Sequence, residues 1–188
     1  MFGSTGRAST TTQQVLALKN MLRAKVRIVQ GYKGSADIIL AMRRGEVSGM
    51  CGIAASNILL QLGDDVRNGD LRIFVQFGRR NAPEFGNAEN IYDLLRTSED
   101  RQIADIIFRP NELGKPIAAP PALPAERARA LRDAFLETMK DFGFLDDMKR
   151  LNLPVYPATG EEVAEVFASL YATPKPLIER AAANMTAE

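Results

Sequence analysis

The sequence predicts an α/β protein: a parallel, doubly wound sheet in the first part of the chain and helices alone in the last. Three observations carry that expectation. Short, β-branched segments alternate with helical ones from Met1 to Phe77, the rhythm of βα units. Two strand-to-helix junctions are glycine turns, at Gly3–Ser9 and at Gly31–Ser35. After Pro120-Pro121 the strand pattern stops and helical spacing takes over.

Taken in order, Met1–Gly6 reads as the end of a strand entering a turn, with the strand's start missing. Thr10–Arg23 follows as a helix. Thr10 and Gln13 match a capping box, and Val15, Leu18 and Leu22 share one face, with Leu16 and Met21 beside it. Lys25–Val29 is a strand. Gly31–Gly34 turns the chain, Ser35 is the expected N-cap, and Asp37 puts negative charge in the first turn of the next helix. The run Ile38–Met42 is almost wholly apolar, which suits a helix between a sheet and a second layer. Arg43 and Arg44 occupy its last turn, and Gly45 stops it. Val47–Ile53 reads as a strand, Ala54–Leu62 as a helix, Gly63–Gly69 as a polar loop and Leu71–Phe77 as a strand. In such sheets ligands bind beyond the carboxyl ends of the strands, and both glycine turns fall at that edge.

Residues 78–114 are less regular, with Arg79, Arg80, Asn81 and Pro83 in a loop. Ile91–Leu95 and Arg101–Phe108 read as short helices split by Ser98, and Lys115–Ala119 as a short strand. Pro120-Pro121 forms a stiff joint. Pro124 is expected at the first position of a helix reaching about Lys140, with Ala128, Leu131 and Phe135 on one face and Arg129–Asp133 as an i,i+4 pair. Phe144, Met148 and Leu151 mark a second helix. Thr159 and Glu162 form a capping box for a third, with Val163, Val166, Phe167 and Leu170 inward. Leu177–Asn184 is a last short helix with a frayed end. These helices carry apolar stripes but have no strands of their own. They pack on one another or cover a sheet that this chain does not supply.

Composition bounds the function. The chain has 188 residues, enough for one domain or two small ones. It carries 24 basic and 23 acidic residues, a balance that speaks against nucleic acid or an anionic membrane as partner. It has no histidine, hence neither the commonest general base nor the commonest transition-metal ligand. Its single cysteine, Cys51, cannot form an internal disulfide, and its place in the apolar run Met50–Ile53 predicts a buried thiol. No apolar run reaches the roughly 18 residues of a membrane span, so no direct membrane insertion is expected. The opening MFGSTG lacks the basic and apolar regions of a signal peptide.

The blocks GSTGRAST, VRIVQGYKGSADIILAMRRGEVSG, KPIAAPPALPAERARALRDAFLETMKD, LPVYPATGEEV and LYATPKP, in that order, resemble the substrate-binding proteins of tripartite tricarboxylate transporters, the Bug-type receptors. The resemblance spans most of the chain. It implies a periplasmic-binding-protein-like fold of type II, in which two lobes close over a small ligand. It also implies a periplasmic location, a carboxylate ligand (a di- or tricarboxylate, an acidic amino acid or an aromatic acid) and delivery to membrane permease subunits. Family members are longer at the N-terminus, with an export signal and the start of lobe one. On this reading residues 1–120 are lobe two, and 121–188 are the helical C-terminal part of an incomplete lobe one. Three places depart from the family pattern: Ser48 stands for the acidic residue of GEVDG, Phe142 for the proline after Asp141, and GNAENIYD at Gly86–Asp93 for a proline-rich segment.

The proposed cleft needs no formal cation. Each helix N-terminus offers about half an elementary charge and several free N–H groups. The expected ligand-binding residues are Ser4, Thr5, Gly6 and Ser9 at the first turn, Tyr32, Gly34 and Ser35 at the second, and Ser48 at the cleft edge. Arg7 and Lys33 flank the turns and either steer anions or are merely solvated. A glycine turn before a helix is most often only a turn. The first is neither a P-loop nor a dinucleotide fingerprint, since G-x-x-x-x-G-K-[ST] and G-x-G-x-x-G are both absent. The acidic pairs Asp64-Asp65, Asp146-Asp147 and Glu161-Glu162 are sequence neighbours, which do not face each other on a helix. No catalytic constellation, metal or cofactor is implied, and the chain is expected not to be an enzyme. Two other readings stay open. One is a small doubly wound domain that binds a phosphorylated ligand at the same helix ends. The other is a truncated receptor without function, whose C-terminal helices expose apolar surface.

Overall fold

The computed structural model describes residues 1–86 and 88–186. Among these residues it is a mixed α/β protein, mostly helical, with two small parallel sheets. The chain divides into two compact units that interleave in sequence. The first comprises Met1–Ala55, Ile73–Arg109 and Thr173–Glu188, and the second Ser56–Arg72 and Pro110–Ala172.

In the first unit, β1 (Phe2–Ser4) and β2 (Ile28–Gln30) run parallel, joined through α1 (Thr10–Leu22). The register pairs Phe2 with Ile28, Gly3 with Val29 and Ser4 with Gln30. On the other side of β1, Gly49 bridges Phe2 in the same direction, and the Gly3 amide donates to the Gly49 carbonyl at 2.9 Å. Alternation along the strands divides the packing. Phe2 and Ile28 face a core that includes Val15, Leu18, Ile91, Ile103 and Phe108. Val29 faces a second core of Ile38, Ala41 and Val47. Gly3 faces that second core too, since a Cβ on it would lie 2.7 Å from Ile38 Cγ2. The small sheet is therefore covered on both sides, by α1 and by α2 (Ser35–Arg43).

The more deeply buried of these two helices is α1. Thr11, Thr12 and Gln14–Leu18 are all buried, whereas Leu40 in the apolar run of α2 is 46% exposed. α2 ends as its residues dictate: Gly45 takes φ +74, its N–H reaches Met42 O, and Glu46 N–H reaches Ala41 O. Further along the unit, β3 (Val75–Gln76) and β4 (Glu89–Asn90) form a second parallel pair, with a 3-10 turn at Pro83–Phe85 between them. Around them lie α4 (Ile91–Leu94) and α5 (Ser98–Glu112), the latter running on past the unit's edge. Buried Gln76 and Asn90 hold the intervening loop: Gln76 Nε2 donates to Phe85 O at 2.9 Å, and Asn90 Nδ2 to Gly78 O at 2.9 Å. Arg79 and Tyr92 both donate to the Asp105 carboxylate, anchoring the loop to α5.

The second unit contains most of α3 (Ala55–Asn68), together with α6 (Ala125–Thr138), α7 (Phe142–Arg150) and α8 (Gly160–Tyr171). The capping box at Thr159 and Glu162 forms in full, and Asp141 caps α7 by accepting from Phe144 N–H at 2.8 Å. Arg132 pairs with Glu161 at 2.7 Å, tying α6 to α8. No residue of α6, α7 or α8 is buried. The last helix, α9 (Lys175–Asn184), belongs to the first unit, where Ala181 is fully buried and Asn20 Nδ2 donates to Asn184 O.

Several local expectations are corrected. The segment 63–69 is not a loop, because α3 continues to Asn68. Its apolar spacing Ile58, Leu62, Val66 persists through the polar string, which supplies the exposed face and an Asp64–Arg67 ion pair. Ser98 does not split a helix but begins one, and Thr97 caps it by accepting from Asp100 N–H at 3.0 Å. Lys115–Ala119 is not a strand, Val47–Ile53 contributes only the bridge at Gly49, and Leu71–Phe77 pairs only at Val75 and Gln76. Pairing needs a neighbouring strand, which β-propensity alone does not supply. Pro124 is the N-cap of α6 rather than its first residue. The departure at Gly86–Asp93 includes Asn87, and the expected terminal fraying includes Ala187 and Glu188; these three residues lie outside those described.

Candidate functional site

The pairing of β1 with β2 decides where the glycine turns go. Parallel strands present the same end to the same edge. Ser4 pairs with Gln30, and the Tyr32 amide donates to the Ser4 carbonyl at 3.3 Å. The turn leading into α1 and the turn leading into α2 therefore leave the sheet side by side, at its carboxyl edge.

The first turn is a knot of hydroxyls. Ser4 is fully buried and Thr12 nearly so. Thr12 Oγ1 lies 2.9 Å from Ser4 Oγ and 2.7 Å from Gly6 O. Ser9 Oγ lies 2.7 Å from Gly6 O and 2.7 Å from Thr11 Oγ1. Thr5 Oγ1 lies 3.2 Å from Thr11 Oγ1, which also accepts from the Thr5 amide. A hydroxyl has one proton to donate. The protons are shared within the turn: Ser9 donates to Gly6 O, Thr12 to Gly6 O or to Ser4 Oγ, and the Thr5, Thr11 and Ser9 hydroxyls bond one another. The hydroxyls of Ser4, Thr5 and Ser9 thus shape the turn, with Ser4 fully buried, and the first N–H groups of α1 add backbone donors beside them. Thr10 and Thr11 are the first helical residues, whose N–H groups have no acceptor within a helix.

This also corrects the N-cap. Ser9, not Thr10, precedes α1, so the Thr10–Gln13 box does not form; the Ser9 hydroxyl turns back into the loop instead of capping the helix. Thr11 and Thr12 complete the knot, and their only signal in the sequence was poor helix propensity in a first turn.

At the second turn, Gly34 rather than Ser35 is the N-cap, in extended conformation, and Ser35 is the first helical residue. Asp37 Oδ2 accepts from the Lys33 amide at 3.2 Å. The two helix ends therefore differ. α2 has a carboxylate in its first turn, whereas α1 has no acidic residue there. An anion is better received at α1, where the helix dipole is uncompensated. Tyr32 packs its ring against the Ile38–Val47 core. Ser48 lies away from the rim: its amide donates to the Met1 carbonyl at 2.7 Å, at the amino end of β1. It does not join the other seven expected residues. Arg7 and Lys33 are exposed.

Cys51 lies in the main core, and burial pushes its thiol up to about 12. Below pH 9 the thiol is protonated both folded and unfolded, so the folded state bears no penalty. Above pH 9 the unfolded chain ionises first, and stability falls as pH rises towards 12. The loss reaches about 1.4 kcal/mol for each pH unit gained in that window. Urea melts at pH 8 and 10 are expected to show a drop in the wild type that is smaller by about that amount in Cys51→Ala. Equal drops would contradict this account.

Among the described residues no cluster of cysteine and carboxylate side chains has the arrangement to hold a metal ion, and no helix is long and apolar enough to cross a membrane. The fold and the rim define the class: a mixed α/β protein with two helix N-termini at the carboxyl edge of a parallel sheet. No protein-family model matches the sequence, and no curated protein or solved structure is detectably similar to it.

Proposed function

We propose that this chain is a solute-binding protein, or a part of one, that captures a small carboxylate at the rim shared by the two turns and hands it to membrane permease subunits of a tripartite tricarboxylate transporter. The observation that carries the reading is the Ser4–Gln30 register with the Tyr32–Ser4 hydrogen bond, which brings both glycine turns to one edge. The ordered resemblance to Bug-type receptors supports it, and with it a periplasmic-binding-protein-like fold and a periplasmic location. The carboxylate takes the Thr10 and Thr11 amides at α1, and Arg7 draws it in from solution. Asp37 at the neighbouring end repels a second carboxylate close by and accepts a donor group instead. Ligands with a carboxylate at one end and an ammonium or hydroxyl donor at the other are thus better matched than compact tricarboxylates. The chain binds and releases; it does not transform its ligand.

The test is titration calorimetry with glutamate, succinate, citrate and benzoate, and with inorganic phosphate and adenosine monophosphate as the opposing set. Binding of at least one carboxylate is expected, with glutamate ahead of citrate. A micromolar complex corresponds to about −8 kcal/mol. Gly6→Asp is the matched variant, because a Cβ at Gly6 meets nothing within 4 Å. It keeps its melt and weakens carboxylate binding at least tenfold. Phosphate binding alone would favour the phosphorylated-ligand reading, and silence towards every compound would end the proposal.

A further inference from the structure

We draw no further inference here: the strongest candidate, the apolar surface that α6, α7 and α8 leave exposed at Leu131, Phe142, Phe167 and Tyr171, is a set of unpartnered helix faces, and nothing in the structure shows what covers it.

Discussion

Phe108→Ala is expected to cost about 3–5 kcal/mol of unfolding free energy, the range for removing a fully buried aromatic ring. Phe108 has no exposed surface and is the largest of the fully buried side chains. It projects from α5 into the core built by α1, α4 and α5, and its ring lies 4.9 Å from that of Phe77 at a tilt of 35°. Truncation removes apolar contact from several elements at once, and a close-packed core refills such a hole only in part. Urea denaturation followed by far-ultraviolet circular dichroism reads the loss as a lower midpoint at unchanged slope. Phe142→Ala is the control. Phe142 is 84% exposed, so its removal is expected to change stability by no more than about 0.5 kcal/mol. Equal losses from the two substitutions would mean that the core does not hold the fold.

Gly52→Ala is expected to cost about 2–5 kcal/mol, from two sources that can be measured apart. Gly52 has φ +73, where a side chain is strained by about 1–2 kcal/mol. A Cβ there would also lie 2.7 Å from Thr10 C and Thr11 N and 2.9 Å from Thr10 O. These are backbone atoms in the first turn of α1, and they cannot rotate away. Gly45→Ala separates the terms. Gly45 has φ +74, almost the same conformation, with nothing within 4 Å of a Cβ. It should lose only the backbone part, and the difference between the two variants measures the clash. Because the clash strikes Thr10 and Thr11, whose amides are proposed to receive the carboxylate, Gly52→Ala should also lose carboxylate binding where Gly45→Ala keeps it. Matching losses in stability and binding would show that α1 does not rest on Gly52.

Gly52 illustrates what could not be read in advance. In sequence it is one glycine in Met50–Ile53, a segment expected to be a strand. Its importance comes from a contact with Thr10 and Thr11, far away along the chain. The same holds for Thr11 and Thr12, which look like weak helix residues until Ser4, Thr5 and Ser9 fold back onto them. The pattern of the chain puts Ser48 at the cleft edge, but the direction of β1 carries it to the other end. The strands came out shorter than expected because β-branched residues favour extension without supplying a partner. At 63–69 glycine and charge mask an apolar repeat that continues through them and keeps the segment helical as far as Asn68.

Taken by itself, the sequence determined whatever depends on neighbours a few positions apart: the α1 and α2 helices to within a residue or so, the Gly45 stop, the Thr159–Glu162 box and the buried character of Cys51. Capping, termination and apolar periodicity are short-range effects, written in the residues that produce them. Only the tertiary structure decided that the two glycine turns leave from one edge, that α1 is the deeper-buried of the two sheet-covering helices, and that the turn's hydroxyls bind one another. Those outcomes rest on strand pairing and on contacts between segments distant in the chain, whose free energies arise only when the whole unit folds.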